Sequence, residues 1–274
     1  MRIVVLVEDT SDNSMLPQEH GLSLYIETDR HRLLFDMGAT GLFLDNATKL
    51  GIDLTQIDLA ILSHGHYDHG GGLPSFIKRN PKIKIYCHKE AFSRFYSLRS
   101  DHQMHEIGIE RSLMDDDRIT LITTPYTIDS ELELFSVKNF LYPQPEGNQF
   151  LYRQDGNQTL LDDFRHEQHL VIKDHRHMTL VVGCAHQGIL NILECFKKRY
   201  REYPQIVLGG FHLTSHGLGK VESYENLSRL ATALLATHSH FFTFHCTGSK
   251  AYQTLKEMMG DSISYLSTGQ ELKM

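Results

Sequence analysis

One segment limits what this chain can fold into more than any other, and it reads SHGHYDHGGG from Ser63 onwards. It follows the apolar run LAIL, so we expect it to begin where a strand ends. His64 and His66 stand two residues apart, and in an extended chain their side chains can point the same way and bind one metal ion. The glycines allow a sharp backbone turn, which can bring Asp68 and His69 towards a second metal. Imidazoles together with a carboxylate suit zinc or another borderline divalent ion.

The composition narrows the functional classes. The chain has 274 residues with 27 basic and 34 acidic side chains, which gives a formal net charge of −7. This length fits one large domain or two small ones. The acidic balance argues against a nucleic-acid or membrane-surface partner, and no apolar run approaches the roughly 20 residues needed to cross a bilayer. The four cysteines form no CxxC pair and no export signal is recognised, so we expect reduced thiols in the cytoplasm.

Short apolar runs alternate with amphipathic stretches in both halves of the chain, which indicates an α/β layered fold. Strands are predicted at residues 3–7, 22–27, 32–35, 59–63, 83–87, 170–172, 179–182, 205–208 and 241–244. Helices are predicted near residues 42–50, 73–79, 188–200, 222–237 and 249–259, the last beginning at a Ser249 cap. We expect a single domain over residues 1–274. Residues 89–165 are less regular and should contribute a cap or loops, with a solvated excursion at 100–118 and a long loop at 142–157.

The HxHxDH run resembles the signature of the metallo-β-lactamase superfamily, and three further motifs agree with it in order along the chain. The early strand ending in Asp-x-Gly corresponds to FDMG, which contains Asp36. The third motif corresponds to GCAH, which ends at His186, and the last to FHCTG, which contains His245. The resemblance implies an αββα sandwich, in which helices flank two mixed β-sheets and metals bind at one edge.

The same resemblance implies a ligand set for two divalent metal ions, with Zn²⁺ expected and Mn or Fe as alternatives. The first metal would be held by His64, His66 and His186, and the second by Asp68, His69 and His245. Such ions lie roughly 3.5–4 Å apart and act together on an electrophile. Asp68 is also the candidate catalytic residue. Asp36 matches a carboxylate that orients the ligands without binding metal, although a turn would favour an aspartate there as well.

The sequence departs from the family pattern at one ligand. Most dinuclear members carry an aspartate that bridges the metals between the third and last motifs, but no aspartate stands between Asp174 and Asp261. The matching place reads GGFHL, in which His212 is the candidate ligand. A neutral imidazole offers one lone pair and cannot bridge, so His212 would bind one metal terminally, contact substrate, or be structural. Cys184 and Cys246 lie within two residues of proposed ligands, and we expect both to be small packing residues.

Within the superfamily, GGFHL, GCAHQGI, HCTG and the early HGLS at His20 resemble the subgroup named for 7,8-dihydropterin-6-methyl-4-(β-D-ribofuranosyl)aminobenzene 5'-phosphate synthase. This resemblance implies a hydrolase or transferase that acts on a phosphorylated or diphosphate-bearing, and therefore anionic, small molecule, with His20 as a possible substrate-pocket residue. A generic metallo-hydrolase of phosphoesters or other esters is an alternative, as is a non-enzymatic metal-dependent binding or sensor module. Other histidines are expected to be structural, including His175 and His177 in a predicted hairpin turn.

Overall fold

The fold was analysed in a computed structural model that describes residues 1–174 and 177–274, so the hairpin turn predicted at His175 lies outside the described residues. The chain divides into two compact units. Unit 1 comprises Met1–Phe95, Glu106–Thr123 and Leu266–Met274. Unit 2 comprises Tyr96–His105 and Thr124–Tyr265. Among the helices in the described ranges, none is long and apolar enough to cross a membrane.

The helices and strands follow one another along the whole described chain. In chain order the strands are β1 (Arg2–Val7), β2 (Ser23–Glu27), β3 (Arg32–Phe35), β4 (Leu59–Ile61), β5 (Lys84–His88), β6 (Phe95–Leu98), β7 (Met104–Glu106), β8 (Ile119–Ile122), β9 (Tyr126–Thr127), β10 (Leu132–Phe135), β11 (Leu151–Asp155), β12 (Gln158–Leu161), β13 (His169–Lys173), β14 (Met178–Val181), β15 (Ile206–Gly209), β16 (Thr214–Ser215), β17 (Lys220–Val221), β18 (His240–Thr243), β19 (Ile263–Tyr265) and β20 (Glu271–Lys273). The α-helices are α1 (Leu42–Lys49), α2 (Tyr67–Gly70), α3 (Leu73–Arg79), α4 (Ile189–Tyr200), α5 (Tyr224–Leu235) and α6 (Ser249–Met259). Short 3-10 segments lie at Leu54–Gln56, Arg111–Asp115, Glu146–Phe150, His245–Thr247 and Gly260–Ser262.

Unit 1 is built on a mixed sheet with the strand order β20-β1-β2-β3-β4-β5-β8. The pairs β3–β4, β4–β5 and β5–β8 are parallel, so their carboxyl ends meet at one edge of the sheet. Helices α1 and α3 bury Phe43 and Phe76 against this sheet, and the two rings meet edge to face at 6.2 Å. The packing places the residues that follow β3 and β4 side by side.

Unit 2 is built on a second mixed sheet with the order β19-β18-β15-β14-β13-β10-β9. Strands β14, β15, β18 and β19 run parallel, and α4, α5 and α6 connect them in turn. The apolar faces of these helices cover the sheet through a core that includes Phe196, Leu227 and Leu255. The carboxyl ends of β14, β15 and β18 therefore lie at one edge. The described chain also contains a four-stranded sheet, β12-β11-β6-β7, and the hairpin β16–β17.

The predicted strands and helices outside residues 89–165 are present, with bounds that shift by one or two residues. Helix α6 does begin at Ser249, but its N-cap is Gly248 at φ 72°, and no side chain caps it. The prediction of irregular structure for residues 89–165 is wrong, because β6 to β12 lie there. The predicted loop at 142–157 includes β11, whose hairpin partner β12 is exposed at every position and so shows no alternating pattern. The single domain, and the cap that residues 89–165 would form, stay predictions.

Candidate metal centre

The four predicted ligands of the HxHxDH run lie together in unit 1, and we refer to His64, His66, Asp68 and His69 as the unit-1 ligand group. They follow β4 and enter the short helix α2, and all four are buried. The Nε2 atom of His64 lies 3.0 Å from Nδ1 of His66. The rings of His64 and His69 lie 4.2 Å apart, and Oδ2 of Asp68 lies 3.6 Å from Nε2 of His69. This clustering is the first requirement for a shared ion.

Asp36, the residue after β3, orients this group through contacts with Ser63 and His69. Its Oδ1 accepts the backbone N–H of Ser63 at 2.7 Å, and its Oδ2 accepts the Ser63 hydroxyl at 2.7 Å. The same Oδ2 lies 2.6 Å from Nδ1 of His69, and both side chains are fully buried. Since a carboxylate only accepts, His69 carries its proton on Nδ1 and keeps the Nε2 lone pair for a metal. The left-handed φ of 60° at Asp36 is one that aspartate tolerates better than most residues.

The glycines of the run are needed for space rather than for a sharp turn, which corrects the sequence-based interpretation. A Cβ on Gly65 would lie 2.1 Å from the carbonyl oxygen of Ala91, and one on Gly72 would lie 2.1 Å from that of Met37. Neither glycine adopts the left-handed conformation. Backbone therefore passes directly against backbone on both sides of the unit-1 ligand group.

His20 lies beside the same group. Its Nδ1 is 2.9 Å from Oδ2 of Asp9, and its Nε2 is 3.4 Å from Oδ2 of Asp68. Asp9 also accepts the backbone N–H of Gly21. His20 thus contacts a predicted ligand, while its role in a substrate pocket stays a prediction. No local pattern singles out Asp9, because it follows β1 without any motif.

The remaining predicted ligands, His186, His212 and His245, lie in unit 2 and form the unit-2 ligand group. They follow the parallel strands β14, β15 and β18, whose carboxyl ends share an edge. The rings of His186 and His212 lie 4.1 Å apart. His212 and His245 adopt left-handed φ values of 49° and 52°, which turn the chain sharply after each strand. Within the described residues, both ring nitrogens of His212 are buried and make no hydrogen bond.

Three side chains fix His186, and sequence reasoning gave none of them a role in the site. Asn148 donates from Nδ2 to the His186 carbonyl at 2.7 Å, and its Oδ1 lies 3.1 Å from Nδ1 of the ring. The Phe164 ring stacks on the imidazole at 4.5 Å. Glu167 accepts the backbone N–H groups of His186 and Gln187, each at 2.8 Å. Burial raises the pKa of Glu167 to about 8, against the opposing effect of these two hydrogen bonds.

Cys184 and Cys246 are buried as expected, but they do more than fill space. The Sγ of Cys246 accepts the backbone N–H of His212 at 3.3 Å, and its thiol lies 3.7 Å from the Cys184 carbonyl oxygen. Burial alone would raise the pKa of the Cys246 thiol. The neighbouring Cys184 and His212, together with the nearby His245, instead hold that pKa well below its usual value. Both cysteines belong to the motifs that carry His186 and His245, and that placement was the available signal.

The donor set fits a divalent metal. Imidazole and carboxylate are the usual ligands of zinc and its neighbours, and both types occur in the unit-1 ligand group. The buried ring nitrogens of His212 supply an independent sign, since buried polar atoms without hydrogen bonds are rare and carry a cost.

Comparison with known proteins gives consistent results. The family model of the metallo-beta-lactamase superfamily matches residues 16–190. The uncharacterized protein MJ0448 of Methanocaldococcus jannaschii is 31% identical over 93% of this chain and 94% of its own length. From the same organism, 7,8-dihydropterin-6-methyl-4-(beta-D-ribofuranosyl)-aminobenzene-5'-phosphate synthase is 28% identical over 100% of this chain and 96% of its own.

A solved structure agrees with these sequence similarities. Tm1679, a metal-dependent hydrolase of the beta-lactamase superfamily, superposes with a TM-score of 0.84 at 29% identity, covering 100% of this chain and 99% of that one. The predicted fold class, with mixed sheets and helices, is confirmed, and so is the predicted resemblance.

Proposed function

This chain belongs to the metallo-beta-lactamase superfamily, and on that premise we propose that it is a metal-dependent enzyme acting on a phosphorylated or diphosphate-bearing small molecule. The proposal rests on the unit-1 ligand group, which is buried and in which Nδ1 of His69 lies 2.6 Å from Oδ2 of Asp36. A histidine fixed in one tautomer by a carboxylate is typical of a metal ligand.

The proposed centre holds two divalent ions. The first would be bound by His64, His66 and His186, and the second by Asp68, His69 and His245. His212 would add a terminal nitrogen in place of the bridging aspartate. This ligand set is the one that the family resemblance implies.

Bound metals would polarise the oxygen atoms of the substrate and of its leaving group. The residues of the chain orient the ions and the substrate around them. Asp36 keeps the Nε2 lone pair of His69 available, and Asn148 does the same for His186 by accepting from its Nδ1. Asp68 is proposed as the catalytic residue because a carboxylate can accept a proton, and His20 at 3.4 Å would orient it.

The phosphate-bearing substrate class rests on the full-length similarity to the synthase of Methanocaldococcus jannaschii, whose name specifies a 5'-phosphate product. Transfer and hydrolysis are both open to such a centre, and the similarity to that synthase favours transfer. The four cysteines form no disulfide, which fits a reducing compartment such as the cytoplasm.

The test combines metal analysis with a substrate panel. Purified protein should contain up to two equivalents of zinc, and should turn over at least one member of a panel of phosphomonoesters, phosphodiesters and diphosphates, the last with and without an amine acceptor. Asp68→Asn and His186→Asn should lower both metal content and turnover. His238→Asn is the matched control, because His238 is exposed and its φ of 58° suits asparagine. Metal without turnover would favour the sensor alternative, and wild-type metal content in both ligand variants would contradict the proposed centre.

A further inference from the structure

We infer that Cys184 and Cys246 act as thiolate metal ligands together with His212, so that the metal centre contains sulfur. We refer to these three residues as the thiol cluster. The inference rests on the proposed function for the presence of a divalent ion, and it deepens that proposal by naming anionic ligands that the family pattern did not supply. Sequence reasoning assigned both cysteines to packing alone.

The first argument is distance. One potential ligand atom from each member of the thiol cluster lies within 4.8 Å of the other two. Zinc–sulfur and zinc–nitrogen bonds of about 2.3 and 2.0–2.1 Å in a tetrahedral site place ligand atoms roughly 3.5–4 Å apart. The cluster therefore needs only small side-chain movements to bind one ion. All three residues belong to unit 2 and are carried on the loops that follow β14, β15 and β18.

The second argument is that the backbone around Cys246 is shaped to hold a sulfur anion. A Cβ on Gly210 would lie 2.4 Å from Sγ of Cys246, so only glycine lets this loop approach so closely. The approach aims the backbone N–H of His212 at the same sulfur, at 3.3 Å. Backbone N–H groups directed at sulfur support a thiolate ligand in metal sites.

The third argument is the imidazole of His212. Within the described chain, both of its ring nitrogens are buried and make no hydrogen bond. Burying such atoms without a hydrogen-bond partner is unfavourable. A metal held by the neighbouring sulfurs would accept one nitrogen lone pair and remove part of this cost.

The other two thiols of the chain provide a contrast. Cys87 is buried in the apolar core of unit 1, and the thiol of Cys195 lies 3.9 Å from the carbonyl oxygen of Ser136. Neither belongs to a group of possible metal ligands in the described residues. The association of thiols with histidine is thus particular to Cys184 and Cys246.

The charge balance gives the inference a chemical reason. Two dications repel each other, and the aspartate that usually bridges them is replaced here by a neutral imidazole. On metal binding each thiol would release one proton to solvent, and its sulfur would donate an electron pair to the ion. The two thiolates would then supply the negative charge that the missing aspartate does not. Sulfur ligands also favour zinc or cobalt over manganese and magnesium.

Cobalt substitution tests the inference directly, because Co²⁺ bound by thiolate shows an intense near-ultraviolet sulfur-to-metal charge-transfer band. The full-length protein loaded with Co²⁺ should show this band. Cys184→Ser and Cys246→Ser should each lose part of it, and the double variant should lose all of it. Cys195→Ser is the matched control and should keep the full band. Because the wild-type spectrum is informative by itself, the test does not depend on the folding of any variant.

Three results would overturn the inference, and they are distinguishable. Wild-type protein that binds Co²⁺ with only the weak visible bands of nitrogen and oxygen ligation would exclude thiolate ligands, while leaving the proposed function intact. Protein that binds neither Co²⁺ nor Zn²⁺ would contradict both proposals. A band that survives in the double variant and disappears in Cys195→Ser would assign the sulfur to the wrong thiol and would also refute the inference.

Discussion

Replacing Asp36 by asparagine tests how the unit-1 ligand group is held. Asparagine tolerates the φ of 60° at this position, so the substitution changes the chemistry of one oxygen and leaves the backbone unstrained. The amide oxygen can still accept the Ser63 N–H now bonded at 2.7 Å. The amide NH₂ would face two groups. The Ser63 hydroxyl can rotate and accept a hydrogen bond from it, whereas the Nδ1–H of His69 is itself a donor and cannot. His69 must then lose its bond to Asp36 or move its proton to Nε2.

The magnitude follows from the loss of this one bond. A hydrogen bond to a charged group contributes about 1.5–3 kcal/mol to the free energy of unfolding, and the 2.6 Å pair is fully buried. At about 2–4 °C per kcal/mol, the thermal midpoint of metal-free protein should fall by roughly 3–12 °C. If the proton moves to Nε2, the lone pair that faces the metal is lost, and metal affinity should fall about 10- to 100-fold.

The assay pairs thermal and urea unfolding of chelator-treated protein with competition between the protein and a chromophoric chelator for zinc. Asp58→Asn is the control, because Asp58 is an exposed carboxylate of the same unit that accepts the Arg32 backbone N–H. A folded Asp36→Asn protein that holds zinc as tightly as the wild type would refute the argument that Asp36 sets the orientation of His69.

Three further outcomes are expected. Gly65→Ala should lower the free energy of unfolding by about 1–3 kcal/mol in urea titrations, because the new Cβ would lie 2.1 Å from the Ala91 oxygen. Gly41→Ala is the control and should change this free energy little, because its Cβ would meet nothing closer than 3.4 Å. Burial lowers the pKa of His169 to about 4, although Gln187 forms a hydrogen bond with its ring. The unfolded state therefore binds more protons than the folded state between about pH 4 and 6.5, and the free energy of unfolding decreases as the pH is lowered through that window. Metal-free protein should lose about 2 kcal/mol from this group between pH 7 and 5, and an equally pH-dependent His169→Leu variant would contradict the assignment. Zinc at 100 times its dissociation constant should add about 2.7 kcal/mol to the free energy of unfolding, and an unchanged thermal midpoint would count against metal binding by the folded state.

The features that the sequence predicts well are those encoded within a few residues. The strand before Ser63 and the histidines after it lie in one local pattern, and helix α4 shows its apolar face in the sequence. Asn148 forms a hydrogen bond with His186, which lies 38 residues further along the chain, and no local sequence pattern predicts such a contact. The role of Gly65 was misjudged for the same reason, because the atom that excludes a side chain belongs to Ala91.

Strand β12 shows a second reason why the sequence does not predict every element. Its four residues are all exposed, so burial imposes no alternation on them and the sequence resembles a loop. Pairing with β11 makes it a strand, and that pairing is a property of the hairpin rather than of the residues alone.

The pairing of β20 with β1 has a consequence for synthesis. Leu272 lies opposite Ile3, so β20, which is synthesised after every other strand of this sheet, covers the flank of β1. Until then β1, whose apolar residues from Ile3 to Val7 are all buried in the finished sheet, has β2 on one side and an open row of backbone groups on the other. Such an edge can pair with another chain. A nascent chain stalled before Glu271 should therefore aggregate or recruit a chaperone, while a chain that contains β20 closes this edge.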